Sequence, residues 1–202
     1  AYGMSIAVAN VPEGREATLN DVQLGFVKNY ANGNFYEAIK GNGAKRNGEP
    51  MTPSSETDLT KISLGGFTKS KTLSVSKLVD TARRMRVLGS VVLELAYVAS
   101  GKYDAFLDLR GSRIIDIAAS KLIVEEAGAI VTDKYGEKLD SRLSIYEKAV
   151  VVRAANGQIN GGVYLFASNV AKDPDQIKAY NVQIEKEAGA NTYRISVFKF
   201  NS

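Results

Sequence analysis

Asp116 is the residue whose type and position most strongly suggest chemistry in this sequence. It lies in the first turn of a predicted helix, from Arg113 to Ala127, whose side chains are mostly apolar. Ser120 follows one turn later, so the two side chains would form a narrow polar notch. A buried carboxylate must be paired, hydrogen-bonded or bound to a metal ion. The spacing alone favours hydrogen bonds from first-turn amides, and a cation site is the alternative.

The composition restricts which reactions are possible. The 202 residues contain no Cys, His or Trp. This excludes cysteine nucleophiles, Ser-His-Asp triads and thiolate zinc sites. What remains is chiefly carboxylate and hydroxyl chemistry with hard cations that prefer oxygen ligands. The lack of disulfides predicts a cytoplasmic protein.

The charge pattern indicates which partners to expect. The chain has 26 basic and 22 acidic residues, a net charge of +4, without a block of like charges. Such mixed charge is typical of a solvated surface, so we expect no nucleic-acid partner. No apolar run is long enough to cross a bilayer, so we expect no membrane partner either.

The first part of the chain predicts antiparallel strands. Tyr2 to Asn10 has the pattern of a strand, and Val22, Leu24 and Phe26 alternate on one face of the next. An Asn32-Gly33 pair then turns the chain, which predicts a hairpin. The polar stretch from Asn42 to Thr60 carries two prolines and is predicted to be a surface connection.

From Leu73 onward, helices and strands alternate. Gly101 and Gly128 stand where the ends of two predicted helices favour a positive φ. The pattern predicts an α/β layered sandwich to which the earlier hairpin adds antiparallel strands. The predicted elements are a helix at Ser74–Arg84, a strand at Met85–Leu88, a helix at Gly89–Ser100, a strand at Tyr103–Leu109, the helix at Arg113–Ala127 and a strand at Ala129–Thr132.

Several segments resemble one family. LGSVVLELAYVASGKYDAFLDLR and IDIAASKLIVEEAGA, supported by YGMSIAVAN, GFVKNYANGNFYEAIKGNGAKRNGE and VTDKYGEKL, resemble the C-terminal half of the inositol monophosphatase superfamily. The match is to the archaeal type that acts on inositol phosphates and fructose 1,6-bisphosphate. It implies an αβαβα sandwich of the sugar phosphatase type over residues 1–155 whose N-terminal part is missing. Residues 156–202 form an unassigned extension.

The resemblance also implies a metal site. It assigns Asp116 as a ligand of the second catalytic metal, for which Mg²⁺ is the natural ion. Ile115 departs from the aromatic residue or valine usual before this aspartate. Two further family features, a glutamate helix and an Asp-Pro-x-Asp-Gly-Thr/Ser motif, should precede Ala1, and the segment beginning Asp173-Pro174 breaks that motif. We therefore expect a truncated chain with little or no catalysis of its own.

Substrate contacts follow from the same resemblance. Gly89 and Ser90 match the strand-to-helix turn that contacts the sugar or inositol, where helix amides suit an oxygen-rich anion. Arg110 is placed to meet a second phosphate, which a guanidinium can bind through two hydrogen bonds. Arg86 is a further candidate. Local helix geometry for the serine and a plain surface position for Arg110 remain open alternatives.

Two functions remain open. The first is a Mg²⁺-dependent phosphatase for a small-molecule sugar or inositol phosphate, which the resemblance suggests is a homodimer. The second is a non-catalytic binding or interaction module that kept the sandwich. The tail beyond residue 156 predicts a helix beginning at Asp173 and a closing strand in YRISVFKF, and it would be the partner surface of such a module.

Overall fold

A computed structural model describes residues 2–67, 76–133, 136–146, 150–156, 180–186 and 193–199. The first sheet has five strands in chain order, and each strand is antiparallel to the next. These strands are β1 (Gly3–Ala9), β2 (Val22–Asn29), β3 (Phe35–Ile39), β4 (Ala44–Arg46) and β5 (Glu49–Pro50).

The second sheet mixes parallel and antiparallel strands. It contains β6 (Ser63–Phe67), β7 (Arg84–Arg86), β8 (Ala105–Ser112), β9 (Ile130–Thr132) and β10 (Val150–Ala155) in the order β7-β6-β8-β10-β9. β6, β7 and β8 are parallel, whereas β10 is antiparallel to β8 and β9. The helices are α1 (Ser76–Thr81), α2 (Val91–Ala99) and α3 (Ile114–Glu126), and β11 (Tyr180–Lys186) pairs with β12 (Tyr193–Lys199).

Helices α2 and α3 lie between the two sheets. Alternate residues of β8 face opposite sides, so that Phe106 packs with these helices and Leu107 packs with Leu78 of α1. Gly25 allows α3 to approach β2, since an added Cβ would lie 2.7 Å from the carbonyl oxygen of Ala119. The layers therefore run sheet, helices, sheet, α1. This confirms the predicted α+β sandwich, and it shows four layers of the αβαβα arrangement.

The outer face of the first sheet is apolar and exposed. Met4, Ile6 and Val8 of β1 are 46%, 48% and 47% exposed. Their partners on β2 include Phe26 and Leu24. The prediction that Val22 shares this face is wrong, because the register shifts between Val8 and Ala9 and turns Val22 into the core, where it is 1% exposed.

Other predictions can be compared directly with the structure. The hairpin with Asn32-Gly33 in its loop is confirmed, and so are the positive φ values of Gly101 and Gly128, 67° and 96°. The surface connection at Asn42–Thr60 is only partly right, because it contains β4 and β5. The closing strand of the tail is confirmed as β12, whereas the helix predicted at Asp173 lies outside the described residues.

Within the described part of the chain, no helix has the length and apolar character needed to span a membrane.

Arg15 and Asp21 form an ion pair ahead of β2 that predicts a pH dependence. Arg15 Nη1 lies 2.7 Å from Asp21 Oδ2, and the Thr18 amide donates to the same oxygen at 2.8 Å. These hydrogen bonds, chiefly the one from Arg15, lower the pKa of Asp21 from 3.8 to about 2. Because the folded state binds this proton more weakly than the unfolded state, the stabilisation is complete above pH 3.8 and is lost as the pH falls through 2.

We therefore expect Asp21→Asn to lower the urea midpoint at neutral pH and to lose this effect near the folded-state pKa. Urea unfolding followed by circular dichroism across the acid range measures the difference. Glu13→Gln, at an exposed loop residue, is the control and should leave the midpoint unchanged. An Asp21→Asn difference that is the same at neutral and strongly acidic pH would contradict the assignment.

Candidate functional site

The carboxyl ends of three parallel strands meet at one edge of the second sheet. β6 ends at Phe67, β7 at Arg86 and β8 at Ser112. In open α/β sheets, ligands bind at this kind of edge. The predicted residues Arg86, Gly89, Ser90, Arg110 and Asp116 all lie near these strand ends or in the turns and first helical turns that follow them.

The turn at Gly89 and Ser90 connects β7 to α2. Gly89 has a φ of 87°, which favours glycine, and its amide donates to Glu94 Oε1 at 3.1 Å. This amide is therefore already engaged within the protein. Ser90 is the N-cap residue of α2, but its side chain makes no capping hydrogen bond. Helix capping thus does not account for the serine, and its hydroxyl is a candidate for ligand contact.

Glu94 and Asp108 are fully buried carboxyl groups near this edge that the sequence analysis did not single out. Burial raises the pKa of Glu94, and Asp108 adds to the rise, whereas the amides of Leu88 and Gly89 and the charge of Arg110 oppose it. The sequence could have indicated both as buried carboxyl groups, because each is the only charged residue in its apolar run, VVLELAYVA or AFLDL.

Arg110 is held through its backbone amide and one side of its guanidinium, and its side chain remains accessible. Its amide donates to Asp108 Oδ1 at 2.9 Å, and its Nε lies 3.5 Å from the same oxygen. The guanidinium carbon is 3.2 Å from the centre of the Phe67 ring, and the side chain is 48% exposed. An anchored but accessible guanidinium suits an anionic ligand better than an unconstrained surface arginine does.

Tyr103 has electrostatic contacts with both the predicted residue Arg86 and the buried Glu94. Burial raises the pKa of the Tyr103 hydroxyl, and Glu94 adds to the rise, whereas the positive charge of Arg86 opposes it. Arg86 is exposed at the end of β7. The Gly89 amide thus contacts Glu94, the Arg110 amide contacts Asp108, and Arg86 influences the pKa of Tyr103.

In the described structure, Asp116 is neither buried nor bound by first-turn amides as expected. Its side chain is 37% exposed rather than buried, and Arg113 binds it through Nε at 2.9 Å and Nη2 at 3.0 Å. The described contacts to its carboxylate thus come from this side chain instead of first-turn amides. The expected polar notch is also wrong, because Ser120 is fully buried and its hydroxyl donates to the Ile117 carbonyl at 3.3 Å.

The described residues do not fit a Mg²⁺ site by themselves. They contain no group of three or more His, Cys, Asp or Glu side chains that could hold a metal ion. Mg²⁺ in phosphatases is held by a few carboxylates together with waters and phosphate oxygens. Asp116 supplies one carboxylate, and both of its oxygens already accept hydrogen bonds from Arg113. Its role as a metal ligand stays a prediction.

A polar cavity of about 470 Å³ lies at the opposite edge of the second sheet. Its lining includes two cationic side chains, Lys61 and Arg83, and two acidic ones, Glu56 and Asp104. These charges cancel, so the cavity offers phosphate no net attraction. None of the predicted site residues lines it, and the edge around Glu94 and Asp108 remains the candidate site.

Comparisons with known proteins agree with this architecture. A family model described as the inositol monophosphatase family matches residues 14–169. A fructose-1,6-bisphosphatase/inositol-1-monophosphatase of Methanothermobacter thermautotrophicus is 51% identical over 162 residues, covering 79% of this chain and 58% of that protein. A bifunctional NADP phosphatase/NAD kinase of Methanococcus maripaludis is 38% identical over 141 residues, covering 67% and 25%.

Among solved structures, a Pyrococcus horikoshii protein with similarities for inositol-1 monophosphatase aligns with a TM-score of 0.65 and 35% identity, covering 72% of this chain and 57% of its own. These matches define a layered α+β protein with the inositol monophosphatase fold. The chain belongs to the inositol monophosphatase family. It spans 58% of the length of the Methanothermobacter relative. The family match runs past residue 155, and the predicted boundary there stays a prediction.

Proposed function

We propose that this chain contributes the ligand-binding edge of a Mg²⁺-dependent phosphatase that hydrolyses a phosphate monoester of a sugar or inositol. The observation that carries the proposal is that Arg86, Ser90 and Arg110 lie at or just after the carboxyl ends of the parallel strands β7 and β8, where the buried Asp108 accepts a hydrogen bond from the Arg110 amide. The proposed substrate is fructose 1,6-bisphosphate or inositol 1-phosphate, in line with the name of the Methanothermobacter relative.

Each residue of this edge has a defined part in the proposal. With fructose 1,6-bisphosphate, the Arg110 guanidinium binds the phosphate that is not hydrolysed, because a planar cation with several N–H donors matches phosphate oxygens. Asp108 contacts its Nε and the Phe67 ring covers one face of the guanidinium, so that little side-chain freedom is lost when the ligand binds. The hydroxyl of Ser90 meets a hydroxyl of the sugar or inositol ring, and Arg86 adds positive charge nearby.

Catalysis by a metal needs more carboxylates than the described residues supply. Asp116 is the candidate ligand from this chain, and the Arg113 side chain would have to release it first. We therefore propose that the 202-residue chain alone releases little or no phosphate. The proposal also includes a cytoplasmic homodimer that acts on a small molecule. It includes no nucleic-acid or membrane partner, and the mild net charge of +4 supports that absence.

A non-catalytic binding module is the second candidate. The ion pair between Arg113 and Asp116 favours it, because a guanidinium that engages both carboxylate oxygens competes with a cation for them. In that case the same edge would bind a phosphorylated ligand without hydrolysing it.

Phosphate release in the presence and absence of Mg²⁺ tests the proposal. The substrates are fructose 1,6-bisphosphate, inositol 1-phosphate and NADP, the last because a relative is named as an NADP phosphatase. We compare the unaltered chain with Asp116→Asn and with Asp80→Asn, an exposed control. We expect no Mg²⁺-dependent release from any of the three proteins.

Turnover that Asp116→Asn abolishes and Asp80→Asn leaves intact would show that the chain holds a complete metal site, and the proposed inactivity would be wrong. If none of the three proteins releases phosphate, the same assay is repeated on a chain extended to the length of the Methanothermobacter relative. Phosphate release by the extended chain that requires Asp116 supports the phosphatase, whereas no release by the extended chain would favour the binding module.

A further inference from the structure

Glu94 is a buried carboxyl group whose two oxygens have different surroundings. Oε1 accepts hydrogen bonds from the amides of Leu88 at 2.8 Å and Gly89 at 3.1 Å. Oε2 is buried and has no hydrogen-bond partner among the described residues. A buried polar atom without a partner is costly and rare in folded proteins, so its presence calls for an explanation.

The packing around Glu94 leaves little freedom for its carboxyl group. Gly65 of β6 faces it without a side chain, and a Cβ added there would collide with the Tyr103 ring and lie 3.3 Å from Glu94 Oε2. The β6 backbone, the Tyr103 ring and α2 thus enclose the carboxyl group. A group held in this way keeps Oε1 at a fixed position beneath the turn that joins β7 to α2.

The turn itself needs such a contact. Gly89 has a φ of 87°, and no heavy atom outside its chain neighbours lies within 4 Å of where its Cβ would be, so side-chain packing does not hold it. The capping hydrogen bond that a serine commonly supplies is also missing at Ser90. The two hydrogen bonds that the Leu88 and Gly89 amides donate to Glu94 Oε1 are therefore the described side-chain contacts to the backbone of this turn.

We propose that Glu94 is a positioning residue, which binds the Leu88 and Gly89 amides from inside and thereby keeps the Ser90 hydroxyl directed to the ligand-binding edge. The assignment of a ligand to Ser90 rests on the function proposed above, whereas the hold on the turn does not. An uncharged carboxylic acid serves this purpose, because its carbonyl oxygen can accept hydrogen bonds from both amides. Burial raises the pKa of Glu94 and so favours the uncharged form.

The test compares Glu94→Gln, Glu94→Met and a matched control in the full 202-residue chain. Glu126 is the match, because its carboxylate also accepts two backbone amides, those of Gly41 and Gly43, both at 2.9 Å. Amide hydrogen exchange reports on each turn. Titration with fructose 1,6-bisphosphate and inositol 1-phosphate, followed by NMR at Ser90, reports on the ligand.

We expect Glu94→Met to accelerate exchange at Leu88 and Gly89 and to weaken ligand binding about tenfold, the effect of one lost hydrogen bond of ordinary strength. Glu94→Gln retains an oxygen acceptor and should keep both the protection of these amides from exchange and the affinity for the ligand. Glu126→Met should accelerate exchange at Gly41 and Gly43 without changing affinity, which separates positioning from general loosening.

Unchanged exchange at Leu88 and Gly89 in Glu94→Met would overturn the proposal. So would accelerated exchange with unchanged affinity, because Glu94 would then be structural only. If the unaltered chain binds neither probe, the proposed ligand class fails, while exchange still decides whether Glu94 holds the turn. Should Glu94→Met not fold, Glu94→Gln decides alone: protection and affinity must both be retained, and the loss of either contradicts the proposal.

Discussion

Replacing Gly66 with alanine is expected to prevent the chain from folding. Gly66 lies in β6 with a φ of 123°, a conformation that side chains rarely adopt. A Cβ there would collide with the carbonyl oxygen of Leu107 and lie 2.8 Å from its carbonyl carbon. Both atoms belong to the backbone of the paired strand β8, so relief would require breaking the pairing of β6 with β8.

The expected loss exceeds about 4 kcal/mol, which is a large part of the stability of an ordinary domain. Gly48→Ala is the matched control, because Gly48 has a φ of 84° but no heavy atom within 4 Å of the added Cβ. It should cost only the conformational strain, about 1 to 2 kcal/mol. Soluble yield and urea unfolding measure both variants. Equal urea midpoints would mean that the collision at Gly66 does not exist.

Glu125→Leu is the second substitution with a large expected effect. Lys121 of α3 is 2% exposed, and its Nζ lies 2.8 Å from Glu125 Oε2 and 3.1 Å from Asn20 Oδ1. Burial lowers the pKa of Lys121, while the hydrogen bond to Glu125 opposes this. Removing Glu125 leaves a buried ammonium without its carboxylate, so we expect a loss of about 3 kcal/mol in the free energy of unfolding.

Lys121→Met should be far milder, because methionine fills a similar volume and needs no partner. The double variant Lys121→Met/Glu125→Leu should therefore recover most of the loss seen in Glu125→Leu. Urea unfolding of the four proteins gives the coupling between the two side chains as a double-mutant cycle. If the two single effects add up in the double variant, Lys121 and Glu125 do not act as a pair.

The long elements could be predicted because their patterns are strong. The α3 helix and strand β8 differ from their predicted bounds by three residues or fewer, and glycines mark the ends of α2 and α3. The short strands β4 and β5 could not, because three and two residues show no periodicity. The core position of Val22 depends on a register shift against β1, which only strand pairing reveals.

The candidate site was predicted in location more than in contacts. The helix pattern placed Asp116 in the first turn of a helix, because helix starts have sequence signals, whereas the place of Ser90 followed from the family resemblance. The ion pair of Asp116 with Arg113 could have been predicted from the sequence, because the two residues are three positions apart in a helical region. The unpartnered oxygen of Glu94 could not be predicted from the sequence, because its surroundings depend on Gly65 and Tyr103, which only the tertiary fold brings close to it.

The two sheets differ in how far apart their paired strands lie along the chain. Each strand of the first sheet pairs with the next one, whereas β8 pairs with β6 and β10 across intervening helices and loops. Long loops are costly to close, so such pairs form slowly. We expect the hairpins to form early in folding and the edge that carries Ser90 and Arg110 to form late. A ligand bound at that edge would then slow unfolding without accelerating folding.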